Sequence, residues 1–169
     1  PPIEVTSDGV KKLLDGLDVK KATGPDGIST RVLKLASEEL APVSLVNQSL
    51  RSGQVPIDWT SANVVPIYKK GPRSQPNNYR PVSLTSVSCK ILEHIIHSNI
   101  MKHLEQNNIL NPKQHGFLKN HSTETQLILT LEDLAKGFDM RKQTDMIILD
   151  FRKAFDKVTH RRLLNIIDH

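Results

Sequence analysis

The sequence contains one cysteine, Cys89, and no second one to pair with it. A disulfide framework and a thiolate zinc site are therefore excluded, and a reducing intracellular compartment is the simpler setting. Aromatic residues make up only 4% of the chain, so its core must rest on Leu, Ile and Val. No apolar run approaches the roughly 20 residues that a membrane-spanning helix needs, and no membrane partner is expected. Pro1-Pro2-Ile3-Glu4 has neither the basic nor the apolar region of a signal peptide. An initiator Met is absent as well, so the chain reads as cut from something longer, with its far end at His169. Internal repeats and low-complexity segments are lacking too.

What is present fits a folded chain. Hydrophobic residues make up 37% of 169 positions and the mean hydropathy is -0.35, enough for one domain with a sizeable core and a small helical appendage. Twenty-three Lys and Arg stand against 18 Asp and Glu. That balance favours an anionic partner such as nucleic acid, although many basic proteins bind nothing anionic.

Along the chain, Ser7 can cap a helix whose apolar residues Val10, Leu13, Leu14 and Leu17 recur at helical spacing. Thr23-Gly24-Pro25-Asp26-Gly27 is a strong turn signal. Ser29 can cap a second helix running through Leu40, and a third is expected from about Pro42 to Arg51, with Gly53 just past its end. Ala62 to Tyr68 and Arg80 to Thr85 read as two strands of a hairpin, joined by the polar loop from Lys69 to Asn78. Pro66 marks the first strand as an edge or a bulge. A helix from about Ser88 to Gln106 gathers Ile91, Leu92, Ile95, Ile96 and Ile100 on one arc, with His94 and His97 opposite. These two histidines could share a metal, but with only Glu93 nearby they read better as solvated surface residues. A further helix starts near Ser122 or Thr123, where Thr123-x-x-Gln126 has the form of a capping box; its stripe is Leu127, Leu131, Leu134 and Phe138. Met146-Ile147-Ile148-Leu149 signals a buried strand ending on Asp150, and His160 to Ile167 looks helical.

A carboxylate at the mouth of an apolar strand suits metal binding, because the strand fixes the ligand. The plainer reading is a strand-end or turn Asp. A phosphatase nucleophile would want a second acid two residues on, where Arg152 stands, so that alternative is weak.

The residues around Asp150 go further. Ile147-Ile148-Leu149-Asp150-Phe151-Arg152-Lys153-Ala154-Phe155-Asp156-Lys157-Val158 resembles the first catalytic motif of reverse transcriptases from non-LTR retrotransposons, particularly the jockey-like branch. Three other blocks resemble the same family in the same order. They are Lys21 to Ile28; Trp59 with Asn63 to Gly71 and Asn78 to Leu84; and Gln114 to Phe117 with Ser122 to Gln126. Together they cover nearly the whole chain.

The resemblance implies an α+β fold, part of a right-hand polymerase. A helical N-terminal extension would occupy residues 1–60, the fingers hairpin and helices 61–143, and the first palm strand and helix 144–169. It implies that Asp150, with the carbonyl of Phe151, holds Mg2+, two such ions being used by the full-length family. Lys69 and Arg80 would meet the incoming deoxynucleoside triphosphate, as would the backbone near Lys153 and Ala154. Phe155 would be the steric gate against a ribose 2'-hydroxyl. Gln114, Gly116 and Phe117 would position the template. The implied partners are an RNA template and a DNA primer, and the full-length family would work in the nucleus.

Plainer readings stand beside these roles: a solvated hairpin for Lys69, Lys70, Arg73 and Arg80, and a core aromatic for Phe155. Leu118 departs from the family's usual Arg and Thr159 from its usual Pro. The stretch from Pro42 to Asn47 is about two residues short, which would turn a helix face by about 200°. The family's later Asp-Asp pair is absent from this chain. The chain alone is therefore expected to be inactive, and prone to aggregate through its unpaired strand. A basic, non-catalytic module gripping RNA or RNA–DNA duplex is the alternative.

Overall fold

The structure, a computed structural model, describes residues 3–41, 44–151 and 153–168. The expected helix start at Pro42-Val43, Arg152 and the terminal His169 lie outside the described residues. The chain divides into two compact units, one running to Leu110 and the other starting at Asn111.

In the first unit the side chain of Thr6, one residue before the expected Ser7, accepts a hydrogen bond from the Gly9 N–H at 3.2 Å. This caps α1 (Ser7–Asp15), which buries Val10 and Leu14. Ser29 caps α2 (Thr30–Leu35) as expected, accepting from the Val32 N–H at 3.3 Å. The helix does not run on to Leu40. It breaks at Ala36 (φ -96°, ψ 26°) and restarts as α3 (Ser37–Leu40). The break accompanies a polar contact that sequence spacing cannot show. The buried Ser37 hydroxyl donates to Asp15 Oδ1 at 2.7 Å, while Lys11 Nζ donates to Asp15 Oδ2 at 3.1 Å. The Ser37 hydrogen bond, followed by that of Lys11, holds the Asp15 carboxyl below its ordinary value. α4 (Ser44–Ser52) stops at Gly53, whose φ of +66° closes the helix end.

The core lies between α1, α2 and α5 (Val87–Gln106). It is built from Val10, Leu14, Leu33, Val87, Ile91 and Ile95, with Ile3, Val5, Leu13, Leu17 and Val46 packed against it. Burying each large aliphatic side chain contributes about 1.5–3 kcal/mol. The expected arc on α5 is buried at its start, through Ile91, Leu92 and Ile95, but has emerged into solvent by Ile100; His94 and His97 are exposed. Ser86, fully buried, caps α5 by accepting from the Cys89 N–H at 3.5 Å.

Against that cap sits the Gly24–Gly27 turn, closed by the Gly27 N–H donating to the Gly24 carbonyl at 3.2 Å. A Cβ on Gly24 would stand 2.5 Å from the Ser86 nitrogen and 2.7 Å from the Thr85 carbonyl carbon. Turn and junction therefore meet backbone to backbone, an approach that only glycine permits.

β1 (Ala62–Tyr68) and β2 (Tyr79–Thr85) pair antiparallel, with Tyr68 opposite Tyr79, Ile67 opposite Arg80 and Pro66 opposite Pro81. Lys69 N–H donates to the Asn78 carbonyl at 2.8 Å, extending the ladder by one rung. Hydrogen-bonded rungs alternate, so the two prolines share a rung whose N–H positions face outward. They cost the ladder no bond and remove a donor from each open edge. Pro66 thus marks an edge strand, as expected.

In the second unit the Ser122 side chain accepts from the Thr125 N–H at 3.2 Å, and the Thr125 hydroxyl accepts from the Ser122 N–H at 3.0 Å. This capping box, one residue before the one expected, starts α6 (Thr123–Asp139). Gly137 lets the returning chain close in, since a Cβ there would lie 2.6 Å from the Thr144 hydroxyl. α7 (His160–Ile167) has the bounds expected of it.

The expected strand at 146–149 is not formed. Residues 142–151 carry no regular secondary structure, and Ile147 and Ile148 are each 83% exposed. An apolar run becomes a strand only when a neighbour takes its N–H and C=O groups, and among the described residues β1 and β2 pair only with each other. For the same want of a neighbour, Leu127, Leu131 and Phe138 of α6 remain exposed. The described fold is thus mixed, helices with one small two-stranded sheet.

Candidate functional site

Two groups of candidate residues take shape, one in each unit. In the first unit, residues opposite each other on paired strands share a face and successive residues alternate. Arg80, opposite Ile67, therefore stands on the same face as Lys69, which the rung to Asn78 keeps on the ladder, while Lys70 lies beyond it in the bend of the loop. Lys69 and Arg80 are exposed, and among the described residues neither has a carboxylate at ion-pair distance.

The tip beyond them is tied down. Tyr68 donates to the Gly71 carbonyl at 2.5 Å, Tyr79 to the Arg73 carbonyl at 2.9 Å, and Asn78 Nδ2 to the Pro72 carbonyl at 2.7 Å. The two tyrosine rings meet edge to face at 5.7 Å, and the Arg73 guanidinium lies 5.1 Å from the Tyr68 ring centre. Each neutral hydrogen bond contributes about 0.5–1.5 kcal/mol, so the loop between the two cations is held in shape from within. Tyr68, Arg73, Asn78 and Tyr79 did not stand out in the sequence as braces of this loop.

In the second unit Asp150, Phe151 and Ala154 line an open cleft of about 460 Å³ together with Lys157 and Val158. Three of the residues singled out from the sequence are thus brought together. Lys157 was not among them; the signal that could have found it is a cation seven residues after Asp150 inside the same motif. Phe155 does not line this cleft. It packs edge to face on Phe117, with ring centres 5.7 Å apart and planes at 81°. Phe117 adopts φ +63° and Lys153 φ +55°, left-handed conformations that cost a non-glycine residue about 1–3 kcal/mol and gather at functional sites. Gln114 Nε2 donates to the Gly116 carbonyl at 3.1 Å, so Gln114, Gly116 and Phe117 form one local group.

As a candidate metal site the cleft is partial. Asp150 supplies a carboxylate to its lining, and carboxylates are among the hard oxygen donors that Mg2+ takes, usually alongside substrate phosphates and water. Among the described residues no cluster of three or more acidic, His or Cys side chains surrounds it.

The reverse transcriptase (RNA-dependent DNA polymerase) family matches residues 67–169, more than half of the chain and the whole of the cleft. The chain belongs to that family. The RNA-directed DNA polymerase from mobile element jockey of Drosophila funebris is 32% identical over 169 residues, covering 97% of this chain and 18% of that protein. The probable RNA-directed DNA polymerase from transposon BS of Drosophila melanogaster is 30% identical over 167 residues, with the same shares covered. A retrovirus-related Pol polyprotein from type-1 retrotransposable element R2 of Popillia japonica is 30% identical over 139 residues, 82% of this chain and 19% of that protein. The chain spans less than a fifth of the length of these relatives.

Proposed function

We infer that the chain is the fingers and the beginning of the palm of an RNA-directed DNA polymerase from a non-LTR retrotransposon. Residues 1–60 would be its helical extension, 61–143 the fingers and 144–169 the opening of the palm. The observation that carries the reading is the cleft in which Asp150, Phe151 and Ala154 meet Lys157, within the segment the family matches.

In this reading Asp150 and the Phe151 carbonyl would hold Mg2+, which when bound would supply charge stabilisation and activation of a primer hydroxyl. Lys157 adds positive charge beside them for a triphosphate. At Lys153 and Ala154 the φ angles are +55° and -50°. Opposite signs at successive residues turn neighbouring N–H groups toward one anion. On the hairpin, the rung that keeps Lys69 on the ladder supports it over Lys70 as the partner of Arg80 at the nucleotide phosphates, with a guanidinium fork and a point charge as complementary donors. Gln114, Gly116 and Phe117 would lie against the RNA template, and the ring of Phe155, which packs on Phe117, would stand where a ribose 2'-hydroxyl would go. The full-length polymerase would act in the nucleus, on an RNA template and a DNA primer.

One carboxylate is too few for two ions, and the 169 residues contain no adjacent aspartates. The chain by itself is therefore inactive. Primer extension by the purified chain with Mg2+ and deoxynucleotides should give no product. Template-dependent extension that persists through further purification would overturn this. The exposed cations Lys69 and Arg80, without carboxylate partners among the described residues, favour a second activity for the isolated chain. It would bind RNA or RNA–DNA duplex through phosphates, weakening steeply as salt rises.

A further inference from the structure

The loop ahead of α6 contains Lys-x-His twice, as Lys113-Gln114-His115 and Lys119-Asn120-His121. In both copies the imidazole turns back on its own loop. Nδ1 of His115 lies 3.2 Å from the Lys113 carbonyl oxygen, and Nδ1 of His121 lies 3.0 Å from that of Lys119. A carbonyl oxygen can only accept, so each Nδ1 carries the hydrogen. In the neutral ring the one free lone pair is then on Nε2. The two rings pack against each other, with centroids 4.8 Å apart and planes at 81°.

The Nδ1 contacts match one feature of metal-bound imidazoles: one nitrogen donates to a backbone carbonyl and fixes the tautomer, and the other is free to bind. We propose that His115 and His121 form a two-histidine site for a divalent ion of the zinc, nickel or copper class, with water in the remaining positions. Imidazole nitrogen selects these ions over magnesium and calcium, which take oxygen. The site is weak for two reasons. No third His, Cys, Asp or Glu joins the pair among the described residues, whereas a structural zinc site has four ligands. Lys113 and Lys119 also add positive charge to the loop. An ion held here would clasp the two ends of the segment carrying Gly116 and Phe117, and so stiffen a part of the chain that bends through left-handed φ at Phe117 and Asn120.

The test is a titration of the 15N-labelled 169-residue chain with zinc chloride alone, read at the imidazole nitrogens by NMR. The Nε2 signals of His115 and His121 should move together, with one shared affinity and a stoichiometry of one ion per chain. His115→Gln and His121→Gln should each weaken that affinity by roughly tenfold or more, the lower end of what even a lost outer partner costs a metal site. The double variant His94→Gln/His97→Gln should leave it unchanged. The proposal is overturned if zinc moves only His94 and His97, if it moves His115 and His121 with separate affinities, or if it moves no histidine. Because the wild-type signals are read residue by residue, a misfolded variant could not disguise the result.

Discussion

Replacing Gly24 by Ala tests how the first unit is put together. The added methyl carbon would lie 2.5 Å from the Ser86 nitrogen, 2.7 Å from the Ser86 Cα and 2.7 Å from the Thr85 carbonyl carbon. All three are backbone atoms, and no side chain can rotate away. Either the Gly24–Gly27 turn lifts off or the junction between β2 and α5 shifts. Overpacking of this kind costs about 1–3 kcal/mol. Reduced freedom of the unfolded chain returns about 0.4–1 kcal/mol when Gly becomes Ala. The net expectation is a loss of about 1–2 kcal/mol. At about 4–8 °C per kcal/mol for a domain near this size, the melting temperature should fall by roughly 5–15 °C. Far-UV circular dichroism against urea and temperature measures it, with Gly9→Ala as the comparison. Gly9 lies inside α1, where alanine is favoured and the nearest atom to a Cβ is the Thr6 hydroxyl at 3.3 Å. If Gly24→Ala melts at or above the wild-type temperature, the backbone-to-backbone docking is wrong.

Three further outcomes are expected. Asp15 has its carboxyl held below the ordinary value, first by the Ser37 hydroxyl and then by Lys11. A depressed carboxylate stabilises the fold above its unfolded value and loses that contribution as pH falls through the folded one. Acid titration should therefore loosen α1 from α3 below the usual aspartate range, and Asp15→Asn should remove that dependence; an unchanged acid profile would contradict the Ser37–Asp15 contact. Ser122→Ala should cost about 1 kcal/mol by removing the cap of α6, visible as faster amide exchange in its first turn, and unchanged exchange there would refute the capping box. Ile148→Lys should reduce self-association of the isolated chain in light scattering, since a charge on an apolar unpaired segment opposes edge pairing. A wild-type chain that is already a monodisperse monomer would count against that reading.

Features with local causes were legible in the sequence. Ala62–Tyr68 and His160–Ile167 have the bounds expected of them, because β-forming residues or helical spacing act over a few neighbours. The cap at Ser29 and the stop at Gly53 are equally local. The break at Ala36 was not legible, since it goes with a bond between Ser37 and Asp15, 22 residues apart. The strand expected at 146–149 failed for a related reason: pairing belongs to two segments, and the pattern of one cannot supply the other. At the candidate site, Asp150, Phe151 and Ala154 were identified by their place in a motif, and the cleft adds Lys157. The meeting of Phe117 with Phe155 could not be read from two blocks so far apart in sequence.

The proposed role of Asp150 is that of a metal-binding acid in a polymerase. It is tested most directly by Asp150→Asn within the full-length enzyme, comparing primer extension on an RNA template with binding of the RNA–DNA duplex. Extension should be lost while duplex affinity is retained. Extension at the wild-type rate would contradict it.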